Sequence, residues 1–159
     1  MTSEDLVVAW LKDAYAMETT LANNLDNHCK DAKRHPDVEA RLRQHAQETR
    51  RHAELIRECI ERHGESPSAG KNIMGKLAGL MGNLHGATKD ELLKDCLQDV
   101  AAEHFEIACY KSLITAARAI GDEQTARVCE EILHEEERMA EWLESNIAML
   151  TSEQLAMAH

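Results

Sequence analysis

The sequence predicts an all-α protein, folded as one domain of four long helices, and three observations support this class. Strong helix formers are abundant, whereas the chain has 2 prolines, 7 glycines and 3% aromatic residues. Four stretches repeat apolar residues at helical spacing, and there is almost no strand signal. The length of 159 residues with 43% hydrophobic content is enough for one domain with a sizeable core.

Charge and cysteine content exclude several partners and compartments. A net charge of −11 repels nucleic acid and anionic membrane surfaces, because both are bound by clustered lysines and arginines. The five cysteines are odd in number and lack CxxC spacing, which indicates buried thiols in a reducing compartment. The chain shows no signal peptide and no apolar run of membrane-spanning length. We therefore expect a cytoplasmic protein with neither nucleic-acid nor membrane partners.

The first predicted helix covers residues 4–31, with Thr2 or Ser3 placed to cap its N-terminus. Its buried stripe has 4-3-4-3-4 spacing and reads Leu11, Tyr15, Glu18, Ala22, Leu25 and Cys29. Glu18 therefore occupies a position that faces the interior of the protein.

The second predicted helix covers residues 36–63, begins at a proline and ends near Gly64. Its stripe has a polar middle and reads Val38, Leu42, His45, Thr49, His52, Ile56 and Cys59. Glu48 flanks this stripe, three residues after His45 and four before His52. Each of the two histidines is equally consistent with a metal ligand and with a hydrogen-bonded core residue.

The connection over residues 66–87 is much longer than the other two predicted turns and is rich in glycine. We expect it to contain one short amphipathic helix. Two short turns with one long crossover between them are typical of the ferritin-like antiparallel four-helix bundle, in which the crossover returns along the bundle. The glycine spacing also resembles that of a membrane helix, but the short length and the lysines favour crossover packing.

The third predicted helix covers residues 89–119 and opens with capping-box spacing between Thr88 and Glu91. Its stripe reads Leu93, Cys96, Val100, Glu103, Ile107, Tyr110, Ile114 and Ala117. Glu106 lies one turn beyond Glu103, so the stripe contains one glutamate and has a second close by.

The fourth predicted helix covers residues 122–149, with Asp122 as its cap. It carries two adjoining stripes, one with Glu135 and the other with Glu136, and a rotation by one residue exchanges the glutamate that faces inward. Thr151 begins another capping-box match, which predicts a short separate tail helix.

The glutamates of the four helices are predicted to lie at one depth of the bundle. With a rise of about 1.5 Å per residue, Glu18 lies roughly 24 Å before the first turn and Glu48 roughly 20 Å after it. Glu106 and Glu136 lie about 22 Å on either side of the last turn, with Glu103 one turn further along. Burying these carboxylates together costs several kcal/mol each unless cations neutralise them. The sequence therefore predicts two cations bridged by glutamates in this layer. Carboxylate and imidazole donor atoms favour iron or manganese.

Less specific explanations exist for some of these residues. An isolated glutamate on an apolar stripe more often reaches water at the edge of the core, and Glu135 beside Glu136 fits that description. Glu131 and His134 have the Glu-x-x-His spacing of di-iron sites but lie off the stripes, which favours the surface. The remaining histidines are most simply surface, cap or interface residues: His28, His35, His63, His85, His104 and His159.

Several of these motifs resemble one known family. The strongest segment is Glu103-His-Phe-Glu106-Ile-Ala-Cys-Tyr110, with supporting matches at residues 11–18, 45–49 and 133–137. On these segments the chain resembles the YciE/YciF family of ferritin-like proteins, a bacterial group with a rubrerythrin-like bundle and an association with stress responses. The resemblance implies ligand positions at Glu18, Glu48, Glu103, Glu106 and Glu136 or Glu135. This chain departs from the family at His52, where glutamine is usual, and at Ala140, where an acid is common.

The predicted function is a di-metal redox protein that binds iron or manganese and reacts with O2 or peroxide. The candidate ligands are Glu18, His45, Glu48, His52, Glu103, Glu106, Glu135 and Glu136. The chain lacks the CxxC pairs of a rubredoxin-like electron donor, so turnover would need an external electron donor. The alternative, favoured by the departure at Ala140, is a non-enzymatic dimeric stress or structural protein with a structural or vestigial metal. Trp10, Trp142 and the apolar crossover residues predict a homodimer.

Overall fold

The computed structural model of the chain describes residues 1–67 and 90–158. Within them it contains four α-helices and no β-strand, which confirms the all-α prediction. The helices are α1 (Ser3–Asp31), α2 (Pro36–Arg62), α3 (Glu91–Ala119) and α4 (Glu123–Met157). The predicted cap at Thr88 and almost all of the predicted crossover, 66–87, lie outside the described residues. None of the helices in the described ranges combines the length and the apolar character needed to span a membrane.

Each helix of the bundle runs antiparallel to its two main neighbours. α1 packs on α2 and α3 on α4 as two hairpins, which meet through α1 with α3 and through α2 with α4. Glu18 bonds to Tyr110 while His28 bonds to Asp99, so the residue numbers run in opposite directions along α1 and α3. The end of α2 and the start of α3 therefore lie at opposite ends of the bundle, as the predicted crossover topology requires.

Local signals define several of the helix ends. Thr2 and Asp5 form a capping box, in which the Asp5 N–H donates to Thr2 Oγ1 at 3.1 Å and the Thr2 N–H donates to Asp5 Oδ2 at 2.7 Å. Gly121, with a φ of 79°, makes the turn after α3 in the left-handed region that favours glycine. The Asp122 side chain then caps α4 by accepting from the backbone N–H of Thr125.

The C-terminal prediction is wrong, because there is no separate tail helix at Thr151. α4 continues without a break to Met157, and the Thr151 hydroxyl donates to the backbone carbonyl of Ile147 one turn earlier. A threonine that bonds back into its own helix satisfies its hydroxyl without ending the helix. Capping-box spacing therefore starts a new helix only where the preceding chain leaves the helical conformation.

Two apolar clusters fill the bundle and leave a polar layer between them. One cluster includes Leu11, Met17, Ile56, Ile60, Leu113 and Ile132, and the other includes Leu25, Leu42, Met139, Leu143 and Leu150. Each fully buried leucine or isoleucine stabilises the fold by about 1.5–3 kcal/mol. The two clusters therefore offset the cost of burying polar groups at mid-bundle.

The buried face of α3 differs in part from the predicted stripe. The predicted stripe places Leu93 and Val100 in the interior, but both are only half-buried. Asp95, Asp99 and Glu106 face the interior instead, and none of them is more than 3% exposed. Sequence periodicity is read from apolar residues, so a helix with acids on its buried face and apolar residues on its flanks gives a misleading phase.

Candidate metal centre

Six ionisable side chains lie buried at mid-bundle, between the two apolar clusters. α1 and α4 each contribute one carboxylate, α2 contributes two imidazoles, and α3 contributes two carboxylates. None of the six is more than 2% exposed, and they are Glu18, His45, His52, Glu103, Glu106 and Glu136. We refer to this set as the central layer. All six positions are among those predicted from the sequence as candidate ligands.

Glu18, His52 and Glu136 form the first of two groups with the spacing to hold a cation. His52 Nδ1 lies 2.7 Å from Glu136 Oε1 and 3.6 Å from Glu18 Oε2. One donor atom from each residue lies within 4.8 Å of the other two, so a single cation can contact all three. The Tyr110 hydroxyl donates a hydrogen bond to the other oxygen of Glu18, Oε1, and so fixes its orientation.

His45, Glu103 and Glu136 form the second group. His45 Nε2 lies 2.8 Å from Glu103 Oε1 and 3.5 Å from Glu136 Oε2. The three donor atoms again lie within 4.8 Å of one another. Glu136 belongs to both groups and presents a different oxygen to each histidine, Oε1 to His52 and Oε2 to His45. A carboxylate in this position is able to bridge two cations.

Several atoms of the central layer have no hydrogen-bond partner among residues 1–67 and 90–158. They are Glu18 Oε2, His52 Nδ1, Glu103 Oε2, Glu106 Oε1 and both carboxylate oxygens of Glu136. The 2.7 Å separation of His52 and Glu136 is short enough for a hydrogen bond, but the geometry does not make one. An unsatisfied buried polar atom costs about 1–3 kcal/mol, and native structures contain few of them. These atoms therefore point to ligands that the described residues do not themselves supply.

The charge of the central layer fits a pair of divalent cations. Its four carboxylates carry −4 in total when ionised, and two divalent cations carry +4. Glu106 belongs to neither of the two groups. Its charge interacts with those of Glu136, Glu18 and Glu103, so it contributes to the negative potential at both groups. Carboxylate oxygens with imidazole nitrogens are donors that suit iron and manganese. The residues present are therefore compatible with a di-iron or di-manganese centre.

Without cations, the central layer retains protons. Burial raises the pKa of Glu18, Glu103 and Glu106 above the ordinary carboxyl value, and the charge of Glu136 raises each further. Burial also raises the pKa of Glu136, but Glu103 and His52 lower it by more, so Glu136 stays ionised. Burial lowers the pKa of His52, yet Glu136 and Glu18 raise it overall to about 11. Binding of cations to this layer must therefore displace protons.

Glu48 and Glu135, also predicted as ligands, lie just outside the central layer. Glu135 Oε2 is 2.6 Å from His52 Nε2, and Glu48 Oε2 is 2.9 Å from His45 Nδ1. Each carboxylate thus contacts the ring nitrogen that points away from the layer. This contact favours a proton on the outer nitrogen and leaves the inner nitrogen to face the layer, which is how carboxylates orient metal-binding histidines. The structure thereby places Glu136, rather than Glu135, in the interior.

An arginine stands behind each of these two flanking carboxylates. Arg51 pairs with Glu135, and Arg41 Nη1 lies 3.4 Å from Glu48 Oε2. The hydrogen bond with His45 lowers the pKa of Glu48 to about 2, although partial burial opposes this. The flanking carboxylate is therefore ionised and able to hold the imidazole in a fixed orientation.

The ligand set differs from the usual pattern of carboxylate-bridged bundles. Such bundles commonly supply a Glu-x-x-His motif from each of two helices. On α2 the same spacing gives Thr49 and His52, and on α4 it gives Glu136 and Met139. Thr49 and Met139 are 1% and 0% exposed, so each motif keeps one strong ligand and buries a residue that is a poor one. His45, one turn before Thr49, supplies the second imidazole.

A second buried ionisable cluster is not predicted from the sequence, and the assignment of His28 to the surface, a cap or an interface is wrong. His28 on α1 is 7% exposed and lies between Asp95 and Asp99 of α3. We refer to these three residues as the His28 cluster. A signal was available, because Asp95, Asp99 and Glu103 follow one another at four-residue steps and so share one face of α3 with the central layer.

Residues 2–156 match a family described as a domain of unknown function, DUF892. The chain belongs to this family. Among solved structures similar to this DUF892 chain, a protein from Xanthomonas campestris pv. campestris is 30% identical, with a TM-score of 0.85 over 99% of both chains. The E. coli stress protein YciF is 21% identical, with a TM-score of 0.78 over 96% of this chain and 98% of that one. The resemblance to the YciE/YciF family is thereby confirmed.

A bacterioferritin is also similar to this DUF892 chain. The protein from Desulfovibrio desulfuricans is 22% identical, with a TM-score of 0.78 over 96% of this chain and 85% of that one, and its structure is described by its diiron site. At this level of identity the likeness shows the fold alone. It confirms the predicted ferritin-like four-helix bundle.

Proposed function

We propose that this DUF892 chain is a di-metal carboxylate protein that binds two iron or manganese ions in the central layer and reacts with O2 or peroxide. The observation that carries the proposal is the position of Glu136, which is shared by two ligand groups and has two buried oxygens without a hydrogen-bond partner among the described residues. The diiron site of the similar bacterioferritin supports the same assignment.

Each residue of the central layer has a distinct part in holding the cations. Glu136 would be shared by the two cations, while Glu18 with His52 and Glu103 with His45 would complete the two ligand groups. Glu106 supplies the fourth negative charge. When bound, a pair of iron or manganese ions supplies redox electrons and an open coordination position for an oxidant.

Residues behind the ligands hold them in place, and apolar residues exclude water from them. Tyr110 orients Glu18 by its hydrogen bond, and Glu135 and Glu48 orient the two imidazoles. The apolar clusters on both sides exclude bulk water from the layer, which strengthens every electrostatic interaction within it. The chain has no CxxC pair, so the electrons for repeated turnover must come from an external reductase.

A second candidate function is a non-enzymatic stress or structural protein, which we propose to be a homodimer. Thr49 and Met139 favour it, because each replaces a residue that the usual motif uses as a ligand. The similar E. coli protein is described as a stress protein. Trp10 on α1 and Met149 on α4 remain 38% and 40% exposed and suit a contact between copies. Light scattering at micromolar concentration should then give the dimer mass, and a monomer mass would exclude this arrangement.

Metal content after anaerobic loading with Fe(II) tests the first proposal against the second. We expect about two ions per chain after desalting, because each of the two groups brings three donor atoms within reach of one ion. Glu136→Gln should lose both ions, since an amide is a poor bridge and Glu136 serves both groups. The matched control is Glu137→Gln, whose side chain is 44% exposed and belongs to neither group.

Reaction with peroxide separates a working centre from a vestigial one. The Fe(II)-loaded wild type should be oxidised by peroxide faster than free Fe(II) under the same conditions, as followed by absorbance. A chain that binds two ions but oxidises them no faster than free Fe(II) would support the structural alternative. A wild type that retains no metal would refute the di-metal proposal itself.

A further inference from the structure

A cavity of about 170 Å³ lies between α1 and α3. Trp10, Asp13 and Met17 line it from α1, where they are three and four residues apart and so share one face of the helix. Ser112 and Leu113 are among the residues that line it from α3. No residue of its lining is a candidate ligand of the central layer, so the cavity is a separate feature of the bundle.

The cavity has an apolar floor and an accessible rim. Met17 and Leu113 are buried in one of the two apolar clusters and form the floor. Trp10 is 38% exposed and Ser112 is exposed, so both lie at the rim, where a ligand can enter from solvent. An apolar cavity of about 150 Å³ is enough to hold benzene. This cavity therefore has space for an organic molecule with one ring or a short carbon chain.

Asp13 places a half-buried carboxylate on the wall of this cavity. Among residues 1–67 and 90–158 it has neither a hydrogen-bond partner nor an ion-pair partner. Lys12, its neighbour in sequence, pairs instead with Glu65 at 2.9 Å. Burial raises the pKa of Asp13, as expected for a carboxylate that no positive charge compensates. A cation that enters the cavity would therefore stabilise the ionised form of Asp13.

The two tryptophans of the chain differ in their contacts with cations. The guanidinium of Arg41 lies over Trp142, 6.0 Å from the ring centroid. Within the described ranges, no lysine or arginine lies over Trp10 in this way. The face of an indole ring attracts a cation, and the attraction is stronger where water is partly excluded. Trp10 and Asp13 therefore offer a cation two kinds of contact that the described residues leave unused.

The lining of the cavity suits an organic cation better than a metal ion. Of the residues that line it, only Asp13 carries a carboxylate, and the groups with the spacing to hold an ion among the described residues are the two of the central layer. A metal ion would gain one ligand from Asp13 and would lose water ligands to apolar walls. An organic ammonium ion brings its own carbon atoms to those walls, and burial of these atoms favours its binding.

We propose that this cavity binds a small organic ammonium ion. The carbon stem lies against Met17 and Leu113, and the ammonium group lies beside the carboxylate of Asp13 and the indole ring of Trp10. The hydroxyl of Ser112 is able to accept one of the ammonium hydrogen bonds. The net charge of −11 attracts cations to the chain from solution. No metal ion takes part, so the site is independent of the proposed di-metal function.

A second copy of the chain is the competing occupant, because Trp10 also suits a contact between copies. Such a contact would bury Asp13 further, which is unfavourable unless the copy supplies a cation. It would also bring together two chains that each carry a net charge of −11. A small organic cation compensates the charge of Asp13 and avoids both penalties.

NMR of the metal-free chain tests this site, because the two tryptophans give two indole N–H signals and only Trp10 lines the cavity. Trp10→Phe assigns the signals, and Trp142 serves as the internal control. The probe is phenethylammonium, and phenethyl alcohol is its neutral match in size. At low salt we expect a saturable shift of the Trp10 signal. The cation should bind about ten-fold more tightly than the alcohol, because only the cation gains the contacts with Asp13 and the indole face.

Asp13→Asn keeps the size of the side chain and removes its charge. We expect this variant to bind phenethylammonium about as weakly as phenethyl alcohol, so that the preference for the cation disappears. Glu58→Gln is the matched control, since it removes the same charge from an exposed position on α2 that does not line the cavity. The control should retain the preference. Circular dichroism verifies that each variant is helical.

Several results would overturn the proposal. One is a Trp10 signal that neither probe shifts in a saturable way. Another is equal affinity of the wild type for the cation and the alcohol, which would leave an apolar cavity without charge recognition. A preference that persists in Asp13→Asn, or that disappears in Glu58→Gln, would show that Asp13 does not recognise the cation. A Trp10 signal that changes with protein concentration alone, together with a dimer mass from light scattering, would identify a second copy as the occupant.

Discussion

The central layer and the His28 cluster bury charge in the same bundle in two different ways. In the His28 cluster an imidazole lies between two carboxylates, and each carboxylate faces one of its ring nitrogens. The central layer has the same ratio, with four carboxylates to two imidazoles, but Glu106 Oε1 and both oxygens of Glu136 lack a hydrogen-bond partner among the described residues. The comparison teaches that buried charge alone does not indicate a metal site. Several buried ligand atoms without hydrogen-bond partners, converging on one point, do indicate one.

The largest effect on stability is expected where the internally paired cluster is broken. His28→Leu removes the positive partner of Asp95 and Asp99 and leaves two buried carboxylates. We expect the free energy of unfolding to fall by about 3–5 kcal/mol, as for other buried ion pairs that lose one member. Urea unfolding at neutral pH measures this, with His104→Leu as the exposed control at less than about 1 kcal/mol.

Replacing the whole His28 cluster sharpens the same test. His28→Leu combined with Asp95→Leu and Asp99→Leu removes every charge at once, and apolar replacement of a buried ionic group is often neutral. We expect the triple variant to be more stable than His28→Leu alone. A fall of less than about 1 kcal/mol in the unfolding free energy of His28→Leu would show that His28 does not compensate the charges of Asp95 and Asp99.

The metal-free central layer should make the chain less stable as the pH rises. The pKa values of Glu18, Glu103 and Glu106 are raised above 4.5 by burial, so the stability that their protonated forms contribute is lost as the pH rises through the raised values. His52, whose pKa is raised from 6.5 to about 11, contributes stability that is complete below 6.5 and lost on the way to 11. The lowered pKa of Glu136 acts in the opposite direction, but only below pH 4.5.

Thermal unfolding measures this dependence. We expect the Tm of the metal-free chain to fall between about pH 5 and pH 8. Mn(II) at 100 times its Kd should add about 2.7 kcal/mol of stability for each site filled. A metal-free Tm that rises over this range would contradict the account of the central layer.

A smaller effect is expected from the residues that orient the two imidazoles. Glu135→Gln and Glu48→Gln should each weaken metal binding by about 10–100-fold, or roughly 1.4–2.7 kcal/mol, because residues behind a ligand typically have this effect. Both variants should still take up two ions when metal is in excess. Titration calorimetry with Mn(II) measures the affinity and the number of sites. Loss of a whole site in either variant would make that glutamate a ligand.

The smallest effect is expected at Tyr110. Tyr110→Phe removes the hydrogen bond to Glu18 and keeps the aromatic ring in the core. We expect a loss of about 1 kcal/mol in the unfolding free energy of the metal-free chain. The number of metal ions bound should not change. A variant that loses an ion would show that Tyr110 does more than orient one carboxylate.

The sequence is sufficient to predict the bundle and much of the central layer. Four long periodic stretches and two short turns define the helices, and a constant rise per residue places Glu18, Glu103 and Glu136 at one depth. Apolar neighbours on the same stripe identify these glutamates as inward-facing. Glu135 and Glu136 could not be distinguished in this way, because a rotation of one residue, about 100°, exchanges them.

The His28 cluster could not be found by the same reasoning. Its residues are polar and carry no hydrophobic signal, and apolar residues such as Leu93 and Val100 lie on the flanks of the buried face. The signal that exists, the four-residue spacing of Asp95, Asp99 and Glu103, is one of polar residues. His28 and Asp99 meet only because α1 and α3 pack side by side, which is a property of the tertiary structure. Likewise, spacing along a helix does not tell whether a carboxylate such as Glu48 or Glu135 lies inside or behind an imidazole.

Anomalous diffraction from crystals of the Mn(II)-loaded chain tests the central claim most directly. We expect two manganese peaks about 3.5–4 Å apart, the separation typical of paired metal centres, with the Glu136 carboxylate between them. One peak should lie beside His52 and the other beside His45. A single peak, or manganese bound outside the central layer, would contradict the assignment of Glu136 as a bridge between two sites.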